Sequence, residues 1–157
     1  MRVLFVCSGN ICRSPTAEAM FRALIEERGL SGEIEVDSAG TGSWHVGSPP
    51  DERSARAARA RGIELSGRAR QVETSDFERF DVLVAMDAGH AAELQALAPA
   101  EMAAKVRLLR EFDPEAVAAG DTDVPDPYYD GPDGFEQVLD VVDAGTRGLM
   151  EEVGGTR

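Results

Sequence analysis

The sequence predicts an α/β fold, a parallel sheet covered on both faces by helices. Three observations predict it. Four short apolar runs, RVLFV, EIEVDSAG, FDVLVAM and KVRLL, alternate with segments of helical spacing. That alternation implies βαβ units with right-handed crossovers. No internal repeat, low-complexity tract or linker divides the 157 residues, so residues 1–157 are expected to form a single domain with one substantial core.

The elements follow in order. RVLFV is a buried strand, and in SPTAEAMFRALIEERG the residues Ala17, Met20, Phe21 and Leu24 recur at helical spacing. Pro15 suits the first turn of that helix and Gly29 its end. EIEVDSAG alternates with period two and stops at a glycine, and SPPDERSARAARARGI reads as a helix ending at Gly62. FDVLVAM is a third strand, DAGHAAELQAL a helix, KVRLL a fourth strand and DPEAVAAG a short helical turn. VPDPYYDGPDG is dense in turn residues and is a loop. The last helix is expected to begin near Asp133, with Glu136 completing a capping box. Its apolar stripe is Phe135, Val138, Leu139, Val142, Leu149 and Val153.

Composition excludes several classes of function. A net charge of −13 repels phosphate backbones, so no nucleic-acid partner is expected. No apolar run reaches bilayer length, and the N-terminal run breaks at Ser8, too early for a signal segment. The expectation is a cytoplasmic protein with no membrane partner. Two cysteines make no disulfide framework, and with two histidines they make no structural zinc site, so neither metal nor cofactor is expected. The charge is uneven. Arg53, Arg56, Arg59, Arg61, Arg68 and Arg70 cluster, whereas Glu111 to Asp143 holds no Lys or Arg. These stretches read either as solvated faces or as a docking surface for acidic peptides.

Both cysteines fall within VCSGNICRSP, residues 6–15, between the first strand and the first helix. A tight loop of successive backbone N–H groups that runs into a helix N-terminus is an anion cradle. In an open α/β sheet, a loop at a strand's carboxyl end is where ligands bind. Gly9 gives the backbone freedom such a cradle needs. Cys7 lies at its lip, where the same donors favour the thiolate. Arg13 offers a planar fork matching two phosphate oxygens, and Ser14 a hydrogen bond to the thiolate. A thiolate beneath a phosphate held by arginine is a nucleophile aimed at phosphorus. Cys12 reads either as a small packing residue or as a thiol that traps an oxidised Cys7.

This loop resembles that of the low-molecular-weight protein tyrosine phosphatases. The likeness extends through DSAGTGSWHVG, ARQV, DFERFDVLVAMD and DPYYDG, in order and spacing over almost the whole chain. The resemblance implies a four-stranded parallel sheet flanked by helices, with a phosphate-binding loop after strand one. It implies hydrolysis of phosphotyrosine in protein substrates through a cysteinyl phosphate, by a monomer. Cys7 is then the nucleophile, Arg13 the phosphate clamp and Asp126 the general acid. The resemblance makes Asn10 and Ser14 loop-ordering and thiolate-tuning groups, and Ser8, Gly9, Ile11 and Cys12 complete the phosphate-binding loop. Trp44, Tyr128 and Tyr129 become substrate-pocket walls, and Asp87 a structural acid beside the loop.

The residues taken alone leave more open. Asp121, Asp123, Asp130 and Asp133 compete with Asp126, and an Asp before Pro is ordinarily a turn former. Trp44 reads equally as core or as pocket, and His45 and His90 read as surface. Gly67 stands where family members often carry a histidine that supports the loop asparagine, a contact that Arg68 is a candidate to replace. Three other functions compete. An arsenate reductase passes a disulfide to further cysteines, and none lies beyond Cys12. A protein arginine phosphatase typically has threonine where Ile11 stands. A non-catalytic phosphate-binding module would not need both Cys7 and a distal acid.

Overall fold

The computed structural model describes residues 1–127 and 131–154. Its strands are β1 (Arg2–Cys7), β2 (Glu35–Gly40), β3 (Val82–Ala85) and β4 (Val106–Leu108). Its helices are α1 (Arg13–Glu27), α2 (Glu52–Arg59), α3 (Asp76–Arg79), α4 (Ala88–Leu97), α5 (Pro114–Ala119) and α6 (Pro132–Gly154). The four strands form one parallel sheet in the order β2-β1-β3-β4, as the apolar runs led one to expect.

Side chains along β1 alternate between the two faces. Val3, Phe5 and Cys7 join the core under α1 and α6, with Phe21, Leu24, Val138, Leu139, Val142 and Leu149. The Phe5 and Phe21 rings meet edge to face, 5.6 Å apart. Leu4 and Val6 join the opposite core with Phe77, Leu83, Ala85 and Leu94, beneath α3 and α4. Helices therefore cover both faces, as parallel sheets require.

One helix carries no periodic signature in the sequence. Helix α3 has only four residues, too few to show a period, and is marked instead by the fully buried Asp76 and Phe77. Helix α6 begins at Pro132, beside the expected start, so Asp133 lies within its first turn rather than at its N-cap. Glu136 accepts a hydrogen bond from Arg61 at 2.6 Å.

The strand order places the site. β1 and β3 are neighbours, but the chain crosses to β2 on one side and β4 on the other. A crevice opens at the carboxyl ends of two strands whose connections diverge in this way. The loop after β1 and the start of α4 after β3 both lie there. Gly40, at the end of β2, lets the first loop fold across it: a Cβ at that position would sit 2.7 Å from the Ser8 carbonyl oxygen. α1 starts directly from this loop, and its N-cap residue, Cys12, supplies no side-chain cap. Its first-turn N–H groups are thus left for the loop or a bound anion.

Candidate active site

Residues 7–14 wrap from β1 into α1 and floor a cleft of about 370 Å³, lined by Cys7, Ser8, Gly9, Ile11, Cys12, Arg13, Trp44, His45 and Asp126. Asn10 holds the loop's shape. It adopts a left-handed conformation (φ 58°), which asparagine tolerates better than most residues. Its Oδ1 accepts the Arg70 backbone N–H at 3.0 Å. Because a backbone N–H only donates, this contact fixes the amide's orientation. Its Nδ2 then donates to Ser14 Oγ and to Ser38 Oγ, both at 2.9 Å. Ser14 Oγ lies 3.0 Å from Cys7 Sγ. With Asn10 donating to Ser14, the serine hydroxyl has two acceptors in reach, the Cys7 sulfur and the Ala39 carbonyl at 3.5 Å. Ser38 Oγ donates in turn to Glu18 Oε1 at 2.6 Å, extending the chain into α1.

This network answers the question raised by Gly67. The asparagine is supported by the Arg70 backbone and Ser38. Arg68, the expected substitute, instead donates to the Gly47 carbonyl at 3.1 Å. Arg70 is held in place by Asp37 and the buried Asp76, which fixes the backbone N–H that Asn10 uses.

Arg13 is buried at the opposite end of the loop. Its Nη1 donates to Asp87 Oδ2 and to the Val124 carbonyl, each at 3.0 Å. Its Nη2 lies 3.6 Å from Asp126 Oδ2. Val124 N–H in turn donates to the Met86 carbonyl at 2.8 Å, which docks the 121–127 segment onto the end of β3 and sets Asp126 over the cleft. Burial on its own would raise the Asp87 carboxyl. The His90 backbone N–H, the His90 ring and Arg13 outweigh burial and hold it below the ordinary carboxylate range. A depressed carboxylate stabilises the fold above its unfolded pKa of ~3.9, and this contribution is lost as pH falls through the lower folded value. The stability gap between wild type and Asp87→Asn in urea unfolding should therefore close as pH falls below about 4. A gap that widens below about pH 4 would contradict this.

Two acidic neighbours of Asp126 are engaged elsewhere. Asp121 pairs with Arg110 at 3.2 Å, and Asp123 accepts the Ala88 N–H at 2.9 Å at the start of α4. Asp133 is in α6. Asp130 lies outside the described residues, as do Tyr128 and Tyr129, the expected pocket walls. Trp44 lines the mouth of the cleft with 74% of its surface exposed, so it is not a core residue.

Both histidines differ from the surface reading. His45 lines the cleft half-buried, close enough that a Cβ on Gly9 would meet its Cδ2 at 2.7 Å. His90 is buried to 3% exposure against Ser8 and Asp87. Cys12 packs with Ile11, Ala69 and Phe135. Burial above all, with Asp51 and Cys7 adding and a Ser54 hydrogen bond opposing, pushes its thiol up to about 12. It is therefore protonated at neutral pH, in keeping with the packing reading.

The arginine cluster is largely neutralised locally. Arg53 pairs with Asp51, Arg56 with Glu52, Arg59 with Glu64, Arg61 with Glu136 and Asp140, and Arg70 with Asp37 and Asp76. This favours the solvated-face reading over a docking surface. Among the described residues, no three His, Cys, Asp or Glu side chains converge to hold a metal ion. No helix among them is long and apolar enough to cross a membrane.

Fold and cleft together define an α/β protein that gathers a thiol, a guanidinium and a carboxyl around the loop between β1 and α1. The family model for low molecular weight phosphotyrosine protein phosphatases matches residues 2–157. A Streptomyces coelicolor low molecular weight protein-tyrosine-phosphatase is 56% identical over 153 residues, covering 97% of this chain and 93% of the relative. The crystal structure of an Entamoeba histolytica protein tyrosine phosphatase superposes with a TM-score of 0.92 at 37% identity, covering 100% and 99% of the two chains. That of a Drosophila arginine phosphatase superposes at 0.88 with 32% identity, covering 97% of each. The chain belongs to the low molecular weight phosphotyrosine protein phosphatase family, and it is a hydrolase of that class.

Proposed function

We propose that this protein hydrolyses phosphotyrosine in protein substrates through a cysteinyl-phosphate intermediate, acting as a single-domain cytoplasmic monomer without cofactor. The observation that carries the reading is the convergence in one cleft of the Cys7 thiol, the Arg13 guanidinium and the Asp126 carboxyl. The Cys7 thiolate attacks phosphorus while Arg13 and the loop N–H groups, Ser8 to Cys12, hold the equatorial oxygens. The bond from phosphorus to the aryl oxygen breaks, and that oxygen takes a proton from Asp126. Asp126, now a carboxylate, takes a proton from water as the water oxygen attacks phosphorus. The sulfur–phosphorus bond breaks and inorganic phosphate leaves. The hydrogen bond from Ser14 stabilises the departing thiolate.

Asp126 is chosen over its neighbours because it lines the cleft while Asp121 and Asp123 serve structural contacts. Asp126→Asn should cost little with a nitrophenyl phosphate, whose leaving group departs unaided. It should cost up to ~10²–10⁴-fold with phosphotyrosine. A plot of log(kcat/KM) against leaving-group pKa should be nearly flat for wild type and steeply negative for the variant. A wild-type slope in Asp126→Asn, with a steep one in Asp123→Asn or Asp130→Asn, would move the role to that neighbour.

Ile11 and Trp44 support an aromatic substrate, since both present apolar surface to the cleft where a phosphorylated side chain would lie. Tyr128 and Tyr129 belong to the same proposed wall. The test is an assay of wild type on phosphotyrosine, phosphoserine and phosphoarginine peptides. Turnover of the phosphotyrosine peptide well above the other two is expected. A preference for phosphoarginine would overturn the assignment of substrate while leaving the chemistry at Cys7 intact.

A further inference from the structure

His90 is buried, titratable and unused by the proposed chemistry. It is the third residue of α4, and its ring reaches back across the sheet to the phosphate loop: Nε2 lies 2.7 Å from Ser8 Oγ. The other ring nitrogen, Nδ1, is buried without a hydrogen-bond partner, yet it lies 3.2 Å from Asp87 Oδ1. That oxygen accepts the backbone N–H of His90 itself at 2.9 Å. The other Asp87 oxygen takes Arg13. The first turn of α4 thus grips the loop at both ends, Arg13 through Asp87 and Ser8 through the imidazole.

Hydrogen-bond inventory fixes the roles. Burial first, with the positive charge of Arg13, pushes His90 below its ordinary range against the pull of Asp87, so the ring is neutral at pH 7. A neutral imidazole carries one proton on either nitrogen. A bare Nδ1 would point its lone pair at a carboxylate oxygen 3.2 Å away, whereas a protonated Nδ1 is attracted to it. Nδ1 therefore carries the proton and Nε2 accepts from the Ser8 hydroxyl. Asn10 orders the side of the loop next to α1. From the β2 side, the Gly42 N–H holds the Ser8 carbonyl at 3.0 Å, and from the β3 side His90 holds the Ser8 side chain.

We infer that His90 is a positioning residue: protonated on Nδ1, it holds Ser8 through Nε2 and so fixes the backbone between Cys7 and Gly9 that cradles the phosphoryl group. This rests on the phosphatase reading above. It predicts that His90 and Ser8 act as one unit.

The test measures kcat, KM and inhibition by inorganic phosphate in Ser8→Ala, His90→Leu and their double variant, and in His90→Gln and His90→Asn. Each of the first two single variants should lower kcat/KM by roughly five- to tenfold, the scale of one neutral hydrogen bond. The double variant should be no worse than either. Glutamine places a polar atom near the position of Nε2 and should recover activity. Asparagine reaches only the position of Nδ1 and should not. In ¹⁵N NMR of wild type, the His90 proton should be on Nδ1. A purely structural role would lower thermal stability without coupling to Ser8. Losses that multiply, equal behaviour of Gln and Asn, or a proton on Nε2 would overturn the inference. The NMR signature and phosphate binding need no turnover. If wild type fails to hydrolyse phosphotyrosine, the functional reading falls and these two readouts still decide the role of His90.

Discussion

Cys7→Ser should abolish phosphotyrosine turnover, by a factor on the order of the 10⁶ seen when a covalent nucleophile is removed, while inorganic phosphate still binds. The two outcomes separate because different groups carry them. Turnover needs sulfur, because a thiol is intrinsically a far better nucleophile than a hydroxyl. Binding needs the loop N–H groups and Arg13, and the substitution exchanges one atom at the end of β1. The contacts that shape the loop, from Arg70 N–H to Asn10 and from Asn10 to Ser14 and Ser38, involve no sulfur. Ser14 Oγ remains within reach of the new hydroxyl, because it lies 3.0 Å from the sulfur it replaces. Kinetics of purified Cys7→Ser beside phosphate titration by calorimetry would check both halves. Residual turnover within a hundredfold of wild type would remove Cys7 from the nucleophile's role.

Arg13→Lys should be nearly as severe, with kcat/KM falling on the order of 10²–10³-fold or more, the cost of losing a preorganised transition-state donor. Two effects combine. An ammonium cannot grip two oxygens in one plane. The guanidinium also satisfies partners that a lysine cannot reach together: Nη1 serves Asp87 and the Val124 carbonyl while Nη2 lies by Asp126. Losing the Arg13 contact to the Val124 carbonyl removes one tie on the segment that carries Asp126 and leaves the Val124 N–H to Met86 bond in place, so the general acid is disturbed with the clamp. Both kcat and phosphate affinity should drop. A variant that raises KM alone, with kcat unchanged, would mean that Arg13 only binds substrate and does not stabilise the transition state.

What the sequence made legible was local. β1, the loop of residues 7–14 and α1 are contiguous, so the strand pattern, the glycine, the thiol and the arginine could be read together. Asp126 was named through the DPYYDG likeness, and its acidic competitors remained until Arg110 and the Ala88 N–H were seen to engage Asp121 and Asp123. The supporting shell was not legible because it assembles across the sheet. Ser38 comes from β2, the Arg70 N–H from the loop beyond α2, and His90 from α4. None of them carries a sequence period or motif that points at Asn10 or Ser8. His90 follows Ala-Gly and precedes Ala-Ala, surroundings that show no partner, and its burial against Ser8 depends on β1 and β3 being neighbours. The arginine run left solvated faces and a docking surface both open, because Glu136, Asp140 and Asp37, which pair with it, are distant in sequence.

The central claim, a phosphoryl group carried on Cys7, is tested most directly by trapping it. Wild type and Cys7→Ser are mixed with a phosphotyrosine peptide for milliseconds and quenched in acid, and the digested peptide spanning residues 3–13 is analysed by mass spectrometry. The account predicts one phosphoryl group on Cys7 of wild type, formed as fast as tyrosine is released and absent from Cys7→Ser. Full-rate release of tyrosine with no phosphoryl group on Cys7 at any quench time, or a phosphoryl group on another residue, would contradict it.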